Sequence, residues 1–117
     1  MPKSLFLVRA VVAARLRTKF DQWYSTDHLP WAIRVFKCEK AWRFWSETEQ
    51  GVHYAVYQFA DRQRLDAPLA SEEFKDMVAN FNRSWPEGVA RTRDIMTLVE
   101  ERTASTSSPA CGPTARP

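Results

Sequence analysis

The sequence is short of glycine, cysteine and histidine, and it has no long hydrophobic run. Its 117 residues include three glycines, two cysteines and two histidines. The cysteines, Cys38 and Cys111, show no CxxC spacing, which disfavours both a four-ligand structural zinc site and a disulfide framework. We therefore expect no metal and a reducing, cytoplasmic location. No segment approaches the length of a transmembrane helix, so we expect no membrane partner.

The chain also lacks a large excess of positive or negative charge. Lys and Arg exceed Asp and Glu by 17 − 14 = 3, and the basic residues are scattered along the chain. No basic tract marks a nucleic-acid-binding segment. The apolar N-terminal stretch carries Arg9 in its middle, where the core of a signal peptide tolerates charge badly. We interpret this stretch as a buried first strand.

Aromatic residues are plentiful, with five Trp, seven Phe and three Tyr. Apolar runs and alternation predict strands near residues 5–12, 37–47, 52–59 and 89–100. Apolar stripes predict a helix from about residue 15 that breaks or kinks before Pro30, and a second helix over 71–85. Residues 61–69 are expected to form a turn or a short irregular helix.

This β-α-β-β-α-β order predicts the α+β, ferredoxin-like fold: a four-stranded antiparallel sheet with two helices on one face. We expect residues 1–102 to form a single domain. Residues 103–117 are rich in Thr, Ala, Ser and Pro and contain no large apolar side chain, so we expect them to form a disordered tail.

The second face of this sheet also needs cover. In the hairpin, large apolar residues occupy both alternating sets of positions, with Tyr54 and Val56 on one face and Tyr57 and Phe59 on the other. Soluble monomers rarely leave such an aromatic patch exposed. A second subunit or a ligand such as RNA would cover it.

The stretch Phe20–Pro30, in which an aromatic-rich helix runs into Asp-His-Leu-Pro, resembles the first-helix motif of EthD-like proteins of the dimeric α/β-barrel superfamily. Ser71–Phe74 and Arg91–Asp94 are also similar to small members, and the resemblance covers about residues 4–101. It implies a homodimer whose sheets pack face to face, with a pocket between helices and sheet in each subunit. Members include metal-independent monooxygenases, isomerases, polyketide cyclases and haem enzymes. One departure lies at Val35–Lys37, where relatives often carry Pro-Gly.

His28 is the candidate catalytic residue. Its ordinary pKa lies near neutrality, so it could act as a general acid or base. It follows Tyr24 by four residues, which places it at a helix end that faces the sheet. The alternative is a structural histidine that holds the kinked helix end.

Four aromatic residues are candidate ligand contacts: Tyr24, Trp42, Phe44 and Tyr57. A two-residue turn at Gln50-Gly51 would set Phe44 opposite Tyr57 and Trp42 opposite Phe59, and Tyr24 and Tyr57 would bring hydroxyls into the pocket. Plain core packing is the simpler expectation for each of them, because aromatic residues supply most core burial. His53 is expected to be exposed. Three strand arginines could bind an anionic substrate, although salt bridges to neighbouring acids are the simpler expectation: Arg43, Arg91 and Arg93.

These observations favour a dimeric protein that binds a small apolar or aromatic molecule. It is either an enzyme of the cofactor-independent monooxygenase, isomerase or cyclase type, for which we expect no cofactor, or a non-catalytic binder. The alternative is an RNA-recognition domain, because His53–Phe59 faintly resembles its aromatic third strand and Phe6 could stack a base from the first. The missing basic-Gly start and Val56 at a stacking position count against RNA.

Overall fold

The computed structural model describes residues 2–104. Its strands are formed by segments in which apolar residues alternate, and its helices by segments that carry an apolar stripe. The strands are β1 (Ser4–Val12), β2 (Lys40–Trp45), β3 (Val52–Phe59) and β4 (Val89–Thr97). The helices are α1 (Arg17–Trp23), α2 (Leu29–Phe36), α3 (Arg62–Leu69) and α4 (Glu72–Ser84). The strands form one antiparallel sheet in the order β2-β3-β1-β4. The predicted ferredoxin-like α+β fold is confirmed.

The helices cover one face of the sheet. Every second residue of β1, from Ser4 to Val12, is buried on that side, and the residues between them are only partly covered. Phe6 pairs with Tyr57 of β3 and packs edge-on against Phe36 of α2. Phe6 therefore lies beneath the helices and cannot stack a base on the open face, which removes one of the two features that suggested RNA.

The first helical connection does not break before its proline. Tyr24–His28 form one wide π turn that joins α1 directly to α2, and the backbone N–H of Leu29 donates to the carbonyl of Tyr24. Pro30 has no N–H to donate, so the carbonyl of Thr26 would lack its partner in a regular α-helix. The predicted break is thus a local widening, and residues 17–36 form one continuous helical segment.

The β2–β3 hairpin differs from its predicted register. Six residues, 46–51, join the strands, and the hydroxyl of Ser46 accepts hydrogen bonds from the backbone N–H groups of Thr48 and Glu49. Trp42 consequently pairs with Val56, and Phe44 pairs with Tyr54. The shift from the predicted pairing is three residues, and an odd shift moves every side chain of a strand to the other face.

The segment between β3 and β4 contains two helices, and α3 occupies the residues for which we expected a turn or a short irregular helix. Asp61 caps α3 by accepting from the backbone N–H of Arg64 at 2.8 Å, and Ser71 caps α4 by accepting from that of Phe74 at 3.1 Å. No helix among residues 2–104 is both long and apolar enough to cross a membrane. The predicted tail, residues 103–117, lies outside the described residues apart from its first two, which form no helix or strand.

Candidate functional site

The π turn delivers His28 into the layer between helices and sheet. The imidazole stacks on the Trp23 indole with ring centres 4.9 Å apart and meets the Tyr24 ring at 4.8 Å. It is 6% exposed, and its Nδ1 has no hydrogen-bond partner. A buried polar atom without a partner is rare in folded proteins, and within residues 2–104 the indole nitrogen of Trp85 shares this state.

The surroundings of His28 keep its imidazole neutral. Burial, and to a smaller extent the nearby charge of Arg91, lowers its pKa to about 4. At neutral pH the ring is therefore neutral, with one nitrogen that accepts a hydrogen bond and one that carries a proton.

Two tyrosine hydroxyls meet in the same layer. The Tyr24 and Tyr57 hydroxyl oxygens lie 3.2 Å apart, so one of them donates to the other. Burial raises the pKa of Tyr24, and burial together with Tyr24 raises that of Tyr57 well above its ordinary value, so both stay protonated. Each hydroxyl has one proton, and their mutual bond uses only one of the two. The second O–H remains available to a bound molecule.

His28, Tyr24 and Tyr57 line one small cavity, whose volume of about 20 Å³ has room for about one water molecule. Its remaining wall is apolar apart from two arginines of β4. Those other lining residues come from β1, α2, α4 and β4: Phe6, Val8, Phe36, Phe74, Met77, Val78, Arg91 and Arg93. The composition of this wall, aromatic with few polar groups, is that of a small-molecule site, whereas its volume is far below the roughly 300–1,000 Å³ of such sites.

Trp42 and Phe44 do not line this cavity, and their predicted pairing with Phe59 and Tyr57 is wrong. Their register places them on the open face of the sheet, where Trp42 is 36% and Phe44 is 51% exposed. Tyr57 and Phe59 lie beneath the helices, and Tyr54 pairs with Phe44 on the open face. The structure brings together three of the five predicted site residues.

A second polar cluster lies behind the cavity. Asp21 accepts from the Arg43 guanidinium at 2.5 Å and from the Trp45 indole N–H at 2.8 Å, and the Nε of Arg43 donates to the Nε2 of His53 at 3.2 Å. The expected salt bridge of Arg43 is confirmed. His53 is 1% exposed, so its expected exposure is wrong. It occupies alternating positions with Tyr57 and Phe59, which is the signal that identifies its buried face.

The two other strand arginines have no such partner. Among residues 2–104, no ion pair joins Arg91 or Arg93 to a carboxylate. Arg91 donates instead to the side-chain oxygen of Asn82 at 3.2 Å. The same residues contain no group of three or more His, Cys, Asp or Glu side chains placed to hold a metal ion.

Comparison with known proteins reveals similarity of fold. No family model and no curated protein matches the sequence. Among solved structures, HapK from Hahella chejuensis aligns with a TM-score of 0.62 and 13% identity over 90% of this chain and 99% of that one. A variant of SnoaB, a cofactor-independent oxygenase from Streptomyces nogalater, aligns with a TM-score of 0.59 and 12% identity over 85% of this chain and 95% of that one.

A protein of the ethyl tert-butyl ether d (EthD) family from Bacillus halodurans is also similar in structure. It aligns with a TM-score of 0.60 and 11% identity over 78% of this chain and 96% of that one. The fold implied by the resemblance to EthD-like proteins is therefore confirmed, and this chain has the ferredoxin-like fold that these three proteins share.

Proposed function

We propose that this chain binds a small apolar or aromatic molecule in the cavity between helices and sheet and that His28 is the general base in its transformation. The observation that carries this proposal is the neutral imidazole with an unpartnered Nδ1, set beside a phenol O–H in an otherwise apolar cavity. One proton acceptor and one hydrogen-bond donor suit the removal of a proton from a carbon next to a carbonyl group.

The proposed step balances without an added oxidant. The C–H bond breaks, its proton goes to the His28 imidazole, and its electron pair moves to the carbonyl oxygen to form an enolate. The free O–H of the Tyr24–Tyr57 pair donates to that oxygen. Return of the proton to another carbon gives an isomerisation, attack of the enolate on a second carbonyl gives a cyclisation, and reaction of the enolate with O₂ begins a monooxygenation.

The cavity must widen to admit an aromatic ring, because its present volume suits about one water molecule. Long, adaptable side chains form part of its wall: Met77 on α4, and Arg91 and Arg93 on β4. Methionine is unbranched and repacks readily around a ligand. β4 is an edge strand, so we expect the ligand to enter the cavity between β4 and α4.

Proton exchange on an aromatic ketone tests the catalytic role. 2-Tetralone carries an acidic C–H beside a carbonyl on a fused aromatic frame, and its exchange in D₂O is followed by NMR. We expect the wild type to accelerate exchange over buffer and His28→Asn to lose about tenfold or more of that acceleration. Tyr57→Phe should lose less, since one hydroxyl remains. Equal exchange by wild type and His28→Asn, with 2-tetralone still bound, removes His28 from the mechanism.

The open sheet face supports a homodimer. Trp42, Phe44 and Val11 are each at least 36% exposed there, and Tyr54 and Val56 lie beside them on the same face. Contiguous apolar patches of this kind are rarely left to solvent. Packing against the same face of a second copy would bury both patches, and the predicted ligand contacts Trp42 and Phe44 would then lie between the two sheets.

Light scattering tests the dimer. We expect a mass about twice the 13.6 kDa of one chain. Phe44→Glu should yield monomers because it places a charge in the proposed interface, and Ile33→Glu is the matched control, since Ile33 is 41% exposed on α2. A monomeric wild type contradicts the proposal. Salt-dependent binding of that monomer to single-stranded RNA would support the RNA-recognition alternative instead.

A further inference from the structure

Two arginines lie at the open side of the cavity. Arg91 pairs with Ala10 and Arg93 pairs with Val8, so both side chains project from the face of β4 that the helices cover. Both line the cavity that also contains His28. Residues two apart on a strand lie about 7 Å from one another, which brings the two side chains to the same opening.

Aromatic rings of α4 hold both guanidinium groups at this opening. The Cζ atom of Arg91 lies 3.7 Å from the centre of the Phe81 ring, and that of Arg93 lies 5.2 Å from the centre of the Phe74 ring. Such contacts favour a fixed position for a cation over the ring face. Arg91 donates to the side-chain oxygen of Asn82, and its other guanidinium N–H groups, like those of Arg93, have no hydrogen-bond partner among residues 2–104.

No protein carboxylate neutralises this pair within the described residues. Arg43, by contrast, pairs with Asp21 on the other side of the site. Burial and the charge of Arg93 together lower the pKa of Arg91 to about 10, so it remains charged at neutral pH beside a like charge. Arg91 is half-buried and Arg93 is exposed, and without an anion the two neighbouring cations repel each other.

We propose that Arg91 and Arg93 form a carboxylate-binding subsite at the mouth of the cavity and that the ligand is an aromatic or other apolar acid. This inference rests on the proposed small-molecule function. The carboxylate lies between β4 and α4, where planar guanidinium groups can each give it two parallel hydrogen bonds. The apolar part of the ligand extends inward against Phe6, Met77 and the imidazole of His28.

A matched pair of probes tests the subsite. 1-Naphthoate and 1-naphthamide share the same ring system and differ in charge, and their affinities are measured by calorimetry at constant ionic strength. We expect naphthoate to bind the wild type about tenfold or more tightly than naphthamide. Arg91→Gln and Arg93→Gln should each lower naphthoate affinity about tenfold and leave naphthamide binding within about twofold.

Control variants separate this site from general electrostatics. Arg83→Gln removes the same charge from an exposed position near the end of α4 that does not line the cavity, and it should leave both affinities unchanged. Arg91→Lys keeps the charge but loses the planar fork, so it should bind naphthoate with intermediate affinity. If the Gln variants do not fold, the Lys variants and the wild-type preference still decide.

The outcomes distinguish this inference from the proposed function. Equal wild-type affinity for both probes overturns the carboxylate subsite and leaves the apolar cavity as a binding site. A naphthoate preference that survives the double variant Arg91→Gln/Arg93→Gln also overturns it. Binding of neither probe overturns both the subsite and the small-molecule function on which it rests.

Discussion

Acidification should weaken the fold through its two buried histidines. His28 and His53 are the only histidines of the chain, and burial lowers the pKa of each to about 4, with Arg91 and Arg43 respectively adding to the effect. The unfolded chain takes up these protons near an ordinary pKa of about 6.5. Between the two values the unfolded state binds more protons, so the free energy of unfolding falls as pH falls through this window.

The expected magnitude follows from the size of that window. A pKa about 2.5 below the ordinary value corresponds to about 3 kcal/mol for each histidine once the pH is below both values. Between about pH 7.5 and about pH 5, most of this, about 2 kcal/mol for each residue, is already lost. The sum of about 4 kcal/mol is a large fraction of a typical domain stability of about 5–15 kcal/mol.

Urea denaturation followed by circular dichroism, at fixed protein concentration and ionic strength, measures this loss. Replacement of His28 by Gln should remove about half of the pH dependence over this range, because Gln does not titrate. The carboxylates with clearly shifted pKa values, Asp21, Glu39 and Asp61, are all shifted downward and act at lower pH. A wild-type free energy that stays constant from about pH 7.5 to about pH 5 refutes the reasoning, as does a full pH dependence in His28→Gln.

Substitutions at three positions outside the cavity test the contacts that stabilise the surrounding fold. Asp21→Asn removes the charge that pairs with Arg43 and should lower the free energy of unfolding by about 1 kcal/mol in urea titrations. Gly51→Ala should cost more than about 1 kcal/mol, because Gly51 has φ +80° and a new Cβ would lie 2.7 Å from the carbonyl oxygen of Val12. Ser71→Ala should cost about 1 kcal/mol through loss of the α4 cap, and Ser71→Asp should restore most of it. Unchanged urea midpoints would contradict each expectation in turn.

The elements of this fold could be predicted because their periodicities are long and unambiguous. Alternation along β1 and the stripe of α4 each depend on many residues, so no single contact decides them. The hairpin register depends instead on the six-residue loop, in which the Ser46 hydroxyl accepts hydrogen bonds from two backbone N–H groups and the backbone of Val52 bonds to Ser46 and Glu49. Strand periodicity carries no information about those bonds, and the predicted faces of Trp42 and Phe44 were wrong for this reason.

One part of the candidate site could be predicted from the sequence, and another part could not. The four-residue spacing puts Tyr24 and His28 on one side of the helical segment, and strand alternation puts Tyr57 on the buried face of β3. The different roles of the arginines could not be predicted, because a partner such as Asp21 is close to Arg43 only after α1 packs on the sheet. That no carboxylate within residues 2–104 forms an ion pair with Arg91 is likewise a property of the folded chain.

The π turn also determines the phase of the whole first helical segment. Its buried residues recur at every fourth position: Phe20, Tyr24, His28, Ala32 and Phe36. In a straight α-helix a four-residue step rotates about 40° beyond a full turn, so four steps would turn Phe36 about 160° away from Phe20. The wide turn uses extra residues for one revolution and takes back part of that rotation. Closing that turn to regular α geometry, with no residue removed, would therefore rotate α2 relative to α1 and turn its apolar side away from the sheet, so the imidazole and the core beneath α2 can only be displaced together.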